Sequence, residues 1–235
     1  MDLKNDNYAK DVEVILQNKT DEEFLINFVK QTYKFFALSV LFAAFGAYIG
    51  MDFYVKGVGL NIKLIIIEIV LIIGLWFFKS MPIVNVVLLF AFTFCSGLTL
   101  VPLLRLGLKA GDGASLLIQA FLMTTIIFGI MSYYALKTTR DLGDMAKTLF
   151  ISLIVIFIAA IISLILGNPI LVVILSAALC IVFSLYIAYN TQKIIKGDCD
   201  SPITAAIDLY LDVFSVFDLI LFFLSVRNIF RINDE

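Results

Sequence analysis

The chain has 235 residues, 62% of them hydrophobic and only 15% charged, with a mean hydropathy of +1.04. A soluble domain carries about a quarter charged residues, and this much apolar surface does not fit into one water-surrounded core, so the bilayer is the expected solvent. A net charge of −2 gives nucleic acid nothing to bind, and the absence of histidine removes His-based triads, most zinc sites and His pH switches.

The first 23 residues, "MDLKNDNYAKDVEVILQNKTDEE", are polar and mixed in sign. A signal peptide would need an apolar core by this point, so none is expected, and the first span itself directs insertion. Thr20 and Glu23 have the spacing of a capping box. Either a helix begins there and continues into the first span, or the segment is a solvated tail.

Uncharged runs mark the spans. The first lies between Lys34 and Asp52. The second, between Lys63 and Lys79, is short and contains Glu68. Ser80 to Leu104 forms the third and Gly113 to Leu136 the fourth. From Thr148 to Gln192 no charge occurs, too long a run for one crossing of about 20 residues. "GNP" at 167–169 divides it into spans five and six by a Gly-Pro turn. The seventh starts at Ser201-Pro202, where Ser caps and Pro favours the first helical position, and ends before Arg227. The expected fold is therefore an all-α integral membrane protein of seven transmembrane helices. A polar segment 1–23, a membrane domain 24–227 and a short tail 228–235 divide the chain.

Basic residues orient it. With the N-terminus inside, the inner segments hold Lys4, Lys10, Lys19, Lys30, Lys34, Lys79, Lys137, Arg140, Lys147, Lys193 and Lys196. The outer ones hold Lys56, Lys63, Arg105, Lys109, Arg227 and Arg231. That favours a cytoplasmic N-terminus and an outer C-terminus. Gly46 and Gly50 form a GxxxG, which in such a chain signals close packing within the molecule or a dimer contact. No Walker loop, GxGxxG, GxSxG or zinc signature occurs, so no enzyme and no bound cofactor are expected. Cys95, Cys180 and Cys199 are scattered, without CxxC, and suit small fillers better than a disulfide or a metal site.

The last span, "IDLYLDVFSVFDL" at 207–219, holds three acids. Counting from Pro202 at 1.5 Å per residue, Asp208 lies roughly 9 Å in, Asp212 roughly 15 Å and Asp218 roughly 24 Å. In hydrocarbon about 30 Å thick, Asp212 is close to the midplane. Each such acid costs about 2.5–3.5 kcal/mol to insert, so the helix is expected at the centre, enclosed by the other six. Two readings stay open. The acids are protonated and hydrogen-bonded between helices, or they line a proton or cation pathway. Asp208 and Asp212, four residues apart on one face, offer hard oxygen ligands suited to Ca²⁺. Glu68, at a depth similar to Asp218, is either an outer cation mouth or a carboxylate paired with Lys63.

Three stretches carry a resemblance: "SGLTLVPLL" at 96–104, "TTRDLGDMAKTLF" at 138–150, and "YNTQKI" at 189–194 followed by "IDLYLDVFSVF" at 207–217. Together they resemble the Bax inhibitor-1 family, also called TMBIM, over nearly all of the chain from about residue 24. The resemblance implies a bacterial cytoplasmic-membrane protein of seven helices with the last one central, and a pH-sensitive Ca²⁺ leak. It implies a pH sensor of two aspartates, one of which matches Asp212. The other position is Asn190 here, which has no proton to lose, so either the pH response shifts or Asp208 supplies the second carboxylate. Lys79 is the candidate basic latch, bonding Asn190 or Asp208. The resemblance also leaves room for a non-transporting regulator that binds a membrane-anchored ATP-dependent protease through segment 1–23.

Overall fold

The computed structural model describes residues 3–52, 58–109 and 113–233, and within them the side chains of 21–51, 62–106, 108, 114–163 and 165–226. Seven α-helices carry almost all of these residues: α1 (Leu3–Asp52), α2 (Val58–Phe77), α3 (Pro82–Lys109), α4 (Gly113–Lys137), α5 (Ala146–Ile165), α6 (Pro169–Lys196) and α7 (Pro202–Asn233). A short 3₁₀ turn, Leu142–Met145, precedes α5. Six helices are long and apolar enough to cross a membrane: α1 over 21–51, then α3, α4, α5, α6 and α7. In hydrocarbon only a helix satisfies every backbone group within one segment, which is why so apolar a chain is helical almost throughout. The expected second span is the seventh helix, α2, whose 20 residues include Lys63 and Glu68; it is not among the six.

Several local signals act as their chemistry requires. Asn168 caps α6, its Oδ1 accepting the Leu171 N–H at 3.1 Å, and Pro169 follows at the first helical position. Ser201 Oγ accepts the Thr204 N–H at 3.1 Å and caps α7 in the same way. α1 does not begin at Thr20. Its backbone is helical from Leu3 onward, so that threonine is an interior position, and its side chain lies outside those described. So do Lys4, Lys10, Lys19, Lys56, Lys109, Arg227 and Arg231 of the charge count.

α6 ends on Gly197 in the left-handed conformation at φ 73°, with its N–H bonded to the carbonyls of Ile194 and Lys193. Any side chain there is strained, and a Cβ would stand 3.1 Å from Leu25 Cδ1. Gly197→Ala is expected to lower stability by about 1–2 kcal/mol, read as a fall in the thermal unfolding midpoint in detergent. An unchanged midpoint would show that the α6–α7 turn does not hold this conformation.

α1 and α3 run side by side in the same direction. Phe42 stacks on Phe90 at 4.5 Å, Phe45 meets Phe94 at 6.1 Å, and Gly50 faces Leu98 and Val101, so both sequences advance together. The two backbones come together at glycines. A Cβ on Gly97 would fall on the Ala43 carbonyl oxygen, and one on Gly46 on the Phe94 carbonyl oxygen. The GxxxG of α1 thus packs within the molecule, of the two possibilities its sequence allowed.

α7 packs directly against α1, α3, α4 and α6. That is four helices, not the expected six. α2 packs on α3, and α5 on α6, so both stand one layer out. The reason is that α3 stands between α2 and α7, and α6 between α5 and α7, so these two helices bury their inner faces on a neighbour of α7. Leu209, Val216 and Leu221 of α7 are fully buried, as are Ala205 and Ala206 near its start, whereas α5 is mostly exposed apolar side chains such as Ile154 and Ile158.

Candidate functional site

The acids of α7 fall into two groups. Towards the start of α7, Asn190 of α6 meets Asp212. The Asn190 Nδ2–H donates to Asp212 Oδ2 at 2.7 Å, and the two residues are only 7% and 5% exposed. Asp208, one turn earlier, is half-buried. The charges acting on it are Lys193 of α6 and Asp200 of the α6–α7 turn. Tyr186, one turn before Asn190, lies in the field of Asp212.

Further along, Glu68 of α2 reaches α3. The Thr99 hydroxyl lies 2.7 Å from Glu68 Oε1 and 2.9 Å from the Ser96 carbonyl oxygen. Ser96 Oγ in turn shares a hydrogen bond with the buried Tyr210 hydroxyl of α7. Glu68 lies in the field of Asp218, and both act on Tyr210. Glu68 is thus joined to Thr99 and faces Asp218, while no ion pair to Lys63 forms.

Among the described residues, the ion pairs are Lys79 with Asp200 at 3.1 Å and Lys196 with Asp141 at 2.9 Å. Neither involves Asp208, Asp212, Asp218 or Glu68. Lys79 therefore reaches neither Asn190 nor Asp208. Its stem leaves the α2–α3 turn and meets the exposed Asp200 instead, one loop beyond the expected partners. Nor do three or more Cys, Asp or Glu side chains converge anywhere among the described residues. Asp208 and Asp212 offer two carboxylates, and a Ca²⁺ ion passing them needs its other four to six oxygens from water, amides or carbonyls.

Two polar features were not visible beforehand. Buried Gln192 clamps the α4–α5 connection: its Oε1 accepts the Leu142 N–H at 2.8 Å and its Nε2 donates to the Arg140 carbonyl at 2.9 Å. It sits in the "YNTQKI" stretch, two residues after Asn190, where helix periodicity says nothing about a polar partner fifty residues upstream. Lys193 is the second, a cation one turn from Asn190 whose link to Asp208 only the packing of α6 on α7 discloses.

Asp141 lies outside the spans. The hydrogen bond from Lys196, the Gly143 N–H and then the Lys196 charge hold its carboxyl below the ordinary range of about 3.9. A depressed value means a stabilising contribution present above the unfolded pKa and lost as pH falls through the folded one. The stability difference between wild type and Asp141→Asn is therefore expected to persist at pH 5 and to disappear in strong acid. A difference independent of pH would show that the Lys196 bond does not form. Cys199, in the α6–α7 turn, is pushed up to about 11, first by burial, so it stays a thiol at neutral pH.

A bundle of apolar helices with acids buried along its last member defines a polytopic helical membrane protein. The chain belongs to the Bax inhibitor family: the family model described as inhibitor of apoptosis-promoting Bax1 matches residues 25–231. A Helicobacter pylori protein is 52% identical over 215 residues, 91% of each chain. A membrane protein of Vibrio cholerae is 26% identical, covering 85% of this chain and 89% of its own. A Golgi anti-apoptotic protein of Vaccinia virus is 30% identical over 145 residues, 61% of this chain and 59% of its own.

Proposed function

We propose that this protein is a pH-modulated cation leak, with Ca²⁺ and H⁺ as its cargo, in the bacterial cytoplasmic membrane. The observation that carries the reading is Asp212: nearly fully buried, hydrogen-bonded to a neutral amide, and with no cation in ion-pair reach among the described residues. A buried charge without a paired cation is costly, so the group is either protonated or visited by cations, and moving between those states is what a pH-modulated pathway requires. Asp208 and Asp212 form the inner part of the path and Asp218 and Glu68 the outer part. Ser39 Oγ, Asn85 Oδ1 and Ser225 Oγ are buried and have no hydrogen-bond partner among the described residues, which suits a core that admits water or ions. Lys79, bonded to Asp200, is the candidate latch, tying two turns together at one mouth.

The reading takes α2 as a seventh crossing and α7 as the central helix. Two observations support this. α1 and α3 run parallel, so the chain between them must travel back, and 20 residues of helix span about 30 Å. Four helices cover α7 on its sides. The distribution of basic residues along the sequence supports an N-terminus in the cytoplasm and a C-terminus outside. The protein acts without catalysis.

A second reading has its own support. At 50 residues α1 is about 75 Å long, more than twice the hydrocarbon thickness, so its first part projects as a helical arm. Such an arm suits a partner such as a membrane-anchored protease, with the protein as a regulator that transports nothing. Proteoliposomes loaded with a Ca²⁺ indicator separate the two. A leak that varies with pH and survives deletion of residues 1–20 supports conduction. Vesicles as tight as empty ones at every pH would overturn it.

A further inference from the structure

A cavity of about 550 Å³ lies between α1, α3, α4 and α7. Leu100 and Leu104 of α3 and Phe214 and Phe217 of α7 line its floor. α1 and α4 form its walls, and among the described residues their backbones stay apart. Phe36 of α1 stacks on Phe128 of α4, centroids 5.7 Å apart, and closes one end. Beyond that bridge the wall residues Val40, Ala44, Phe121 and Thr125 are exposed. Their exposed neighbours Leu41, Phe45, Leu122 and Ile126 continue the apolar surface that faces the bilayer. The groove is therefore a side inlet of the lipid-facing surface.

Its chemistry selects the occupant. Thr124 and Thr125 donate to the carbonyls of Ala120 and Phe121, each at 2.8 Å, and the Tyr210 hydroxyl is engaged with Ser96. Among the described residues these hydroxyls have their protons or lone pairs engaged by protein partners and the rest of the lining is apolar, so water here has few of the two to four polar partners it needs. An empty groove forfeits the dispersion contacts of its lining. The volume lies within the range of small-ligand sites, about 300–1,000 Å³. The apolar molecule present at this depth is lipid.

We propose that one acyl chain of a bilayer phospholipid enters sideways between α1 and α4 and lies in this groove against α7. At 3.6 residues per turn, Val213, Phe214 and Phe217 project from the side of α7 opposite Asp208 and Asp212. The lipid chain does not touch Asp208 or Asp212; it supports the back of the helix that carries them. This assignment does not depend on conduction.

The test uses the full-length protein in vesicles containing a phosphatidylglycerol with a diazirine midway along one acyl chain. After irradiation, adducts are mapped by mass spectrometry. Leu100 and Leu104 are buried, so a photolabel reaches them only from inside the groove. Adducts are expected there as well as on outward residues such as Ile154 and Ile158. Ala44→Phe and Thr125→Phe, which fill the inlet from opposite walls, are each expected to cut the floor adducts about tenfold, equivalent to about 1.4 kcal/mol, and to leave those on α5 unchanged. Retention of a whole phospholipid mass after extraction into mild detergent agrees with the proposal. Adducts confined to outward residues, floor adducts unaffected by both variants, or retention of free fatty acid alone would overturn it.

Discussion

Gly97→Leu is expected to abolish the folded protein. Even one added carbon at this position falls on the Ala43 carbonyl oxygen and against the Ala47 nitrogen, and backbone atoms cannot rotate away as a side chain can. Gly97→Ala already forces α1 and α3 apart, at about 1–3 kcal/mol for overpacking. A leucine exceeds what a shift can absorb. Gly46→Val is expected to behave similarly, because its Cβ meets the Phe94 carbonyl from the other side of the same crossing. Gly129, on the exposed face of α4, provides the comparison: a Cβ there meets nothing within 4 Å. Gly129→Ala removes a helix-interior glycine and is expected to gain up to about 1 kcal/mol. Size-exclusion profiles and thermal midpoints in detergent read all four. If Gly97→Leu remains monodisperse with a wild-type midpoint, the two helices do not cross at this glycine.

Asp212→Asn is expected to leave the fold intact and to remove most of the cation flux. The substitution keeps the shape and an oxygen for the Asn190 amide to donate to, so the α6–α7 contact survives without the charge. Flux should fall at least about tenfold, a barrier increase of about 1.4 kcal/mol, and lose its dependence on pH. Asp212→Leu should additionally strand the buried Asn190 amide, at about 1–3 kcal/mol. The converse change, Asn190→Asp, places two carboxyls in hydrogen-bond contact and should produce a two-step pH profile that belongs to the pair. If Asp212→Asn conducts with an unaltered profile, the acid at the centre is not the gate and serves as packing.

Much of this architecture was legible in the chain because helices in lipid must be long, uncharged and punctuated. Gly167 and Pro169 divided α5 from α6, and Ser201 with Pro202 started α7, since these residues act through their own backbone. Gly46 and Gly50 announced a close approach for the same reason. The neighbours of α7 were not legible. In water the buried face of a helix is its apolar stripe, but in a bilayer the outer face is equally apolar, so composition around the helix does not say which side meets protein. The partners of long side chains were equally hidden. Lys79 stands near several acids in any reading of the topology, and only the course of the α6–α7 turn hands it to Asp200. The resemblance pairs position 190 with Asp212 as one sensor; nothing in the spacing of positions 190 and 212 requires their contact.

The glycine crossing of α1 on α3 has a mechanical consequence. Where two backbones touch without side chains between them, sliding or tilting meets a hard wall, so this half of the bundle behaves as a fixed frame. α6 is attached differently: it packs on α4 and α7 through side chains such as Ile187 and Ile194, with the Asn190–Asp212 bond at mid-depth, and α5 packs on it, joined by a tight Gly167–Pro169 corner. Between α6 and α7 side chains separate the backbones and can repack, so a displacement that parts Asn190 from Asp212 meets less resistance there than at the glycine crossing, which acts as the stationary post.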